Sequence, residues 1–342
     1  MSERSQSITM RDVAEHAGVS SSSVSRALSG SRSMNPDVRE RVLRSAEVLG
    51  YEVNLLGRAL RQQRLNVVGL ILPDFSNPFF AAMAEHLGEV FRAAGFELLV
   101  SSAGDDLSTE RHAVSSFLGQ QIQALVIIPK DETESREALE AASRRIPTVQ
   151  FDRRVATSGV PYVGCDNRAG IELIARHVRD VTPQGERVVF VGAGVSSSSA
   201  RERREAFAAL MPDALFLDGT FDVEWGHQAA RLLLERSERG GTIVASADVI
   251  ALGLQSELQA RGRRIPQDFR VIGFDGIGVT GYALPALTTV RQPIEEMCAA
   301  ILELISRDGL HPESTEVLLA PELVHGKSTV LEEDGAVAPL GG

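Results

Sequence analysis

Cysteine is almost missing from this chain. Cys165 and Cys298 are the only two, too few for a disulfide scaffold and without the C-x-x-C spacing of a cysteine zinc site. Cys165 is read as a small buried hydrophobe. The seven histidines include no H-x-x-x-H pair, so nothing supports a metal hydrolase, and no Ser, His and acid are spaced as a recognisable nucleophilic triad. Aromatics make up 5% of the residues, with Trp225 the only Trp. No apolar run approaches the roughly 18 residues of a membrane span. The start, MSERSQSITM, has no apolar core of a secretion signal. A cytoplasmic protein in a reducing compartment, without membrane attachment, is expected.

What is present supports a globular protein. Of 342 residues 43% are hydrophobic and 24% charged, enough for two or three packed domains. The net charge of -11 is unevenly spread. Residues 1–64 carry ten Arg, no Lys and seven acids, a balance of +3, which leaves -14 on the rest. A basic head on an acidic body can meet phosphates with the head alone.

The head contains capped helical segments. Thr9-Met-Arg-Asp12 is a capping box, so a helix should start near Met10, bury Val13, Ala14 and Ala17, and end at Gly18 in the left-handed conformation. Ser20 is a natural N-cap for a second helix, about Ser21 to Leu28, packed through Val24, Ala27 and Leu28. Asn35-Pro36 opens a third, with Asn as cap and Pro at its first position, an inner stripe of Val38, Val42, Ala46 and Leu49, and Gly50 at its end. Two short helices joined by a Gly-containing turn form a helix-turn-helix. The second then enters the major groove, with Ser21, Ser22, Ser25 and Arg26 outward. Arg26 suits a bidentate bond to guanine.

These two stretches, TMRDVAEHAGVSSSSVSRALSG and NPDVRERVLRSAEVLGYEVN, resemble the DNA-binding headpiece of the lactose-repressor/galactose-repressor family of bacterial transcription factors, and the similarity runs nearly the whole chain. The resemblance implies DNA contacts at Thr9, Ser20, Ser21, Ser22, Ser23, Ser25, Arg26, Asn35 and Asn54. It implies a hinge helix over residues 55–65 that orders when two copies pair on DNA, with Leu60 as the minor-groove wedge. Val53, where Pro is usual, and Gly57 depart from the pattern, and Gly57 weakens the helix by about 0.5–1 kcal/mol relative to Ala.

From Asn66 a strand-helix rhythm begins. Continuous apolar runs at 67–72, 97–102, 124–129, 148–151, 187–192, 242–246 and 270–274 read as buried parallel strands. Amphipathic helices lie between them, at 78–94, 108–121, 132–145, 168–180, 200–210, 224–236, 249–261 and 294–307. The fold class is therefore an all-α helix-turn-helix headpiece (1–54) followed by α/β lobes with doubly wound parallel sheets. By resemblance, the body (66–331) is a type I periplasmic-binding-protein-like core. Its first lobe is formed by 66–164 and 293–321 and its second by 165–292 and 322–331; a tail (332–342) follows.

Ligands of such sheets sit beyond the strands' carboxyl ends. Asp74, Asp152, Asp248 and Asp275 stand there, with Phe79 and Phe80 after the first strand and Arg203 on a helix preceded by Ser196–Ser199. Carboxylates accept hydroxyl protons, Arg donates a fork and a ring packs a sugar face. By resemblance, Arg203 in R-R-E-A-F matches an effector-clamping Arg, with Ala206 replacing the usual Gly. Asp275 matches an effector-binding Asp, Phe221 an aromatic wall, and Asp248 lies in a familiar motif that also suits a helix cap. The candidate effector residues are Phe79, Phe80, Asp152, Ser199, Arg203, Phe221, Asp248 and Asp275. For Asp152, as for Asp166, a purely structural role is the alternative.

Two other functions compete. Gly192-Ala-Gly-Val-Ser-Ser between a strand and a helix faintly resembles a dinucleotide loop, but its third Gly is missing. A solute-binding protein would share the body but not the head. The expectation is a repressor, not an enzyme. It binds a palindromic operator as a homodimer and needs no cofactor, only a small-molecule effector of carbohydrate type between the lobes. The tail has no heptad pattern, which disfavours a tetramer.

Overall fold

The structure, a computed structural model, describes residues 8–28, 34–49, 66–156, 159–194, 196–236, 240–306 and 315–330. The chain divides into two units, Met1–Leu65 and Asn66–Gly342.

The first unit contains helices α1 (Met10–Ala17), α2 (Ser21–Leu28) and α3 (Pro36–Val48). Thr9 and Asp12 form a reciprocal capping box, and Gly18 closes α1 at φ 65°. The Ser20 hydroxyl accepts from the Ser23 amide at 3.2 Å, and the Asn35 side chain accepts from the Asp37 amide at 2.8 Å. Each helix start thus satisfies amides that would otherwise lack a partner. Val13, Ala14, Ala17, Val24, Ala27, Val42 and Ala46 form the core. Its small residues let three short helices approach closely. Val38 is half-buried rather than inside; Gly50, Val53, Asn54, Gly57 and Leu60 lie outside the described residues.

The second unit holds two six-stranded sheets. In the first, β1 (Val67–Leu72), β2 (Glu97–Ser102), β3 (Ala124–Ile127), β4 (Thr148–Phe151), β5 (Tyr162–Cys165) and β11 (Glu316–Leu319) run parallel in the order β11-β5-β4-β3-β1-β2. In the second, β6 (Val188–Ala193), β7 (Leu215–Gly219), β8 (Gly241–Ala245), β9 (Phe269–Asp275) and β10 (Thr288–Arg291) are parallel. The last strand, β12 (Glu322–Val324), pairs antiparallel with β10; the order is β12-β10-β9-β8-β6-β7.

Helices cover both faces. Around the first sheet lie α4 (Pro78–Ala93), α5 (Leu107–Gly119), α6 (Arg136–Ser143) and α11 (Ile294–Ser306); the second has α7 (Asn167–Val181), α8 (Ser198–Leu210), α9 (Val223–Glu235) and α10 (Asp248–Ala260). Val68, Leu70 and Leu72 join one core with Met83, Leu87 and Phe91 of α4. Ile71, Leu125 and Ile127 face the other way, onto Val114 and Phe117 of α5 and Leu139 of α6. Because both faces are buried, the strands read as unbroken apolar runs. Helices α9 and α10 meet through Gly226 and Gly253. A Cβ on Gly253 would stand 2.1 Å from the Val223 carbonyl oxygen, so no larger residue fits that crossing.

Sequence reading missed five strands: β5, β7, β10, β11 and β12. They are three to five residues long. Several lie at or next to an edge and mix polar with apolar residues, so neither periodicity marks them. The helix expected at 132–145 begins at Arg136, because the Asp131 carboxylate accepts from the amides of Thr133 and Glu134 and holds that stretch in a turn.

Candidate functional site: headpiece surface and interlobe cleft

On the headpiece, Ser21, Ser22 and Arg26 are exposed on α2 while Val24 and Ala27 are buried beneath them. Ser25, expected outward, is half-buried. The Arg26 Nε donates back to the Ser22 carbonyl at 3.4 Å, a long, weak bond that a better acceptor can replace. Ser20, Ser22 and Ser23 share hydroxyl hydrogen bonds of 2.8 and 3.0 Å at the start of α2. Thr9, Ser20 and Asn35 are all helix caps.

In the second unit, the sheet order changes direction at β1/β3 and at β6/β8. The helices that follow β1 and β6 therefore start at these topological switch points, where open α/β sheets bind ligands. Helix α4 brings Phe79 and Phe80; α8 brings Ser199 and Arg203. Arg203 is 2% exposed. Its Nε donates to Asn167 Oδ1 (2.8 Å), and its Nη1 donates to the Ser246 carbonyl (2.7 Å) and Asp275 Oδ1 (3.1 Å). Its guanidinium lies 3.7 Å over the Phe274 ring. The same Asp275 oxygen accepts from Gln292 Nε2 at 2.9 Å. Burial pushes the Asp275 carboxyl up to about 6, although Arg203 pulls the other way. Asp275 has φ 123° and Asp152 φ 59°, conformations costly for a non-glycine residue and concentrated at ligand sites.

The predicted residues do not all come together. Asp248 is fully buried. Its Oδ2 accepts from the amides of Gly276 and Ile277 (2.8 and 2.9 Å) and its Oδ1 from the Thr289 hydroxyl (2.6 Å). Gly273 leaves room for it, since a Cβ there would stand 2.1 Å from Asp248 Oδ1. Asp248 braces the turn after β9, and no carboxylate edge is left for a ligand. Nor does its side chain cap α10, whose N-cap is Ala247. Asp166 caps α7 by accepting from the Ala169 amide at 2.9 Å, and Asp74 accepts from the Ser76 amide at 2.8 Å.

Sequence reading did not single out Arg153, Asn167, Ser246 or Gln292. Arg153 is 7% exposed, and its guanidinium carbon lies 5.3 Å from the Phe80 ring of one lobe and 5.2 Å from the Phe221 ring of the other. Arg153 Nε, Ser246 Oγ and Gln292 Oε1 are buried without a hydrogen-bond partner. Orphaned buried polar atoms are rare in finished interiors. The lobes also hold each other directly. Arg201 Nε bonds both oxygens of Glu132 at 3.0 Å, Arg154 Nη2 bonds Glu202 at 2.7 Å, and the Arg154 amide donates to the Ser198 hydroxyl at 2.9 Å. The adjacent "RR" offered no sequence signal for this split of roles, in which Arg154 hydrogen-bonds across to Glu202 and Arg153 instead lies against two rings and the Asp152 carboxylate.

Among the described residues no group of three or more His, Cys, Asp or Glu is placed to hold a metal, and no helix is long and apolar enough to cross a membrane.

Two family models match the chain: "Bacterial regulatory proteins, lacI family" over residues 9–54 and "Periplasmic binding protein-like domain" over 176–329. The chain is 30% identical over 332 residues to the HTH-type transcriptional regulator DegA of Bacillus subtilis, covering 94% of this chain and 98% of that one. It is 29% identical over 302 residues to the ribose operon repressor of Halalkalibacterium halodurans (87% and 89%). The Lac repressor dimer bound to operator and the anti-inducer ONPF shares the fold with a TM-score of 0.83 at 21% identity, covering 95% of this chain and 100% of that one.

Proposed function

Since the chain belongs to the lacI family of bacterial regulatory proteins, and is thus a DNA-binding transcriptional regulator rather than an enzyme, we propose that it is a cytoplasmic repressor that binds a palindromic operator as a homodimer and answers to a small polar metabolite of carbohydrate type in the interlobe cleft. No cofactor enters this scheme. The observation that carries the DNA-binding part is the outer face of α2: Ser21, Ser22 and Arg26 project from a headpiece core that is complete without them. A basic side chain on the exposed face of a helix of this type reads base edges. The cleft reading rests on Arg203 and Asp275, buried and fixed in orientation, beside three orphaned polar atoms.

Closure of the lobes brings Phe80 and Phe221 onto one guanidinium and engages Glu132 with Arg201. A ligand that stabilises this closed arrangement shifts the population of lobe angles, and coupling to DNA is reciprocal. The testing experiment is selection of bound duplexes from a random library, followed by gel shifts at fixed salt with candidate metabolites. The expected result is an inverted-repeat consensus whose binding one metabolite changes. An enriched pool without two-fold symmetry would defeat the dimeric operator reading.

A further inference from the structure

The turn between β3 and α6 is folded to face the other lobe. Its consecutive backbone amides show how. The Lys130 amide donates to Oε2 of Glu110, a fully buried residue of α5, at 2.9 Å. The Asp131 amide donates to the Ser135 hydroxyl at 3.2 Å. The amides of Thr133 and Glu134 donate to the Asp131 carboxylate at 2.8 and 2.9 Å. The Glu132 amide, at the tip, leaves the lobe and donates to the Ser196 carbonyl at 2.9 Å. Its side chain follows, with both oxygens accepting from Arg201 Nε at 3.0 Å. A turn whose other amides are held inside its own lobe loses little conformational freedom when its tip grips a partner.

The partners of Glu132 lie just before α8 and in its first turns. The Ser198 hydroxyl, which accepts from the Arg154 amide at 2.9 Å, is on the same helix. So is Arg203, the buried clamp, so that grip and clamp ride on one element. The ion pair is partly buried, with the Arg201 side chain 31% and that of Glu132 22% exposed, and salt screens it less than a pair in open solvent. All of these bonds join protein groups, so they form without a ligand. We propose that residues 130–134 are a latch that holds the lobes closed in the effector-free protein, with Glu132 as the residue that grips Arg201. The latch then sets the population of closed lobes from which an effector works. That consequence rests on the cleft being the effector site; the closure itself does not.

The test is hydrogen exchange on the full chain without ligand or DNA. The reporter is the Arg154 amide, which crosses to the other lobe but belongs to a different segment from the latch. Glu132→Ala should speed its exchange about threefold to tenfold, the worth of a charged hydrogen-bonded pair in part exposure. The core amides of Leu87 in α4 and Leu254 in α10 should change less than twofold. Glu140→Gln removes a surface ion pair to Arg144 within the first lobe and should leave the Arg154 amide unchanged. Combining Glu132→Ala with Arg201→Gln should add less than twofold to the single change, because both remove one interaction. An unchanged Arg154 amide in Glu132→Ala would overturn the latch. So would equal acceleration of the Leu87 and Leu254 amides, which would mean general loosening, or a double variant whose effect is the product of the two singles. None of these outcomes bears on the cleft reading, which stands or falls with the metabolite-dependent gel shifts above.

Discussion

In the headpiece, Ser21, Ser22 and Arg26 stand outside a core that is complete without them; in the cleft, Arg203, Asn167 and Asp275 are themselves the interior. The difference teaches where function and stability separate. A side chain on the exposed face of a helix can be removed with little effect on the fold. A buried charge whose partners are other buried groups cannot, because each partner then carries an unmet desolvation cost.

The largest expected effect comes from breaking the interior. Arg203→Ala strands Asp275, Asn167 and the Ser246 carbonyl. It should cost about 3–5 kcal/mol of stability, the usual penalty for removing one partner of a buried pair, and should abolish the effector response. Urea unfolding of the full chain measures the first. A loss under about 1 kcal/mol, within the ordinary spread of substitutions, would mean the cluster relaxes like a surface and would erase the contrast with the headpiece. The matching change outside is Arg26→Ala. Stability should stay within about 0.5 kcal/mol, while discrimination between operator and random duplex falls by about 1–3 kcal/mol. Equal loss on both duplexes would make Arg26 a phosphate contact.

The same contrast decided what the sequence revealed. The headpiece was legible nearly residue by residue, because capping boxes, the Gly18 turn and the Asn35-Pro36 start are local rules. Ser25 and Val38 were exceptions: helical spacing placed Ser25 outward and Val38 inward, and only packing shows both half-buried. Long strands of the body were legible because both faces are covered and their residues are uniformly apolar. The short strands β5, β7 and β10–β12 were not, since the neighbours that hold them come from distant sequence. In the cleft, Arg203 and Asp275 were found through resemblance and strand-end position. Asp248 has the same position and chemistry, yet three hydrogen bonds occupy it; the amides that bind it lie 28 and 29 residues away, so nothing local distinguishes it from Asp275. Arg153 was invisible because what sets it apart is a place between two rings, Phe80 and Phe221, that come from distant sequence.

The interior should also answer to pH where the headpiece surface does not. Asp275 titrates at about 6 in the folded protein against an ordinary value of 3.8. Between those values the native state binds more protons than the unfolded chain, so this group's contribution to stability falls as pH rises from about 4 to 6. Asp152 and Asp248 are shifted upward as well by burial, so the contribution of Asp275 is the difference between the parent protein and Asp275→Asn. The variant should show a flatter melting temperature over this range. Effector affinity should move the other way. The ionised carboxylate is the form that accepts from both Arg203 and a ligand hydroxyl, so affinity should fall about tenfold per unit below pH 6, the slope of one required proton loss. A pH-independent affinity between 5 and 7 would remove Asp275 from the ligand contacts.

The smallest expected effect tests the comparison inside the headpiece itself. Ser20 and Ser21 are adjacent, chemically identical and both exposed, but only Ser20 accepts the Ser23 amide and caps α2. Ser20→Ala should lower headpiece stability by about 1 kcal/mol, the worth of a hydroxyl N-cap. Ser21→Ala should leave stability unchanged and alter DNA binding alone. Hydrogen exchange of the α2 amides separates the two. If both variants accelerate exchange equally, the serine at position 21 is part of the cap, and the division between supporting and reading residues on this helix is drawn one position too early.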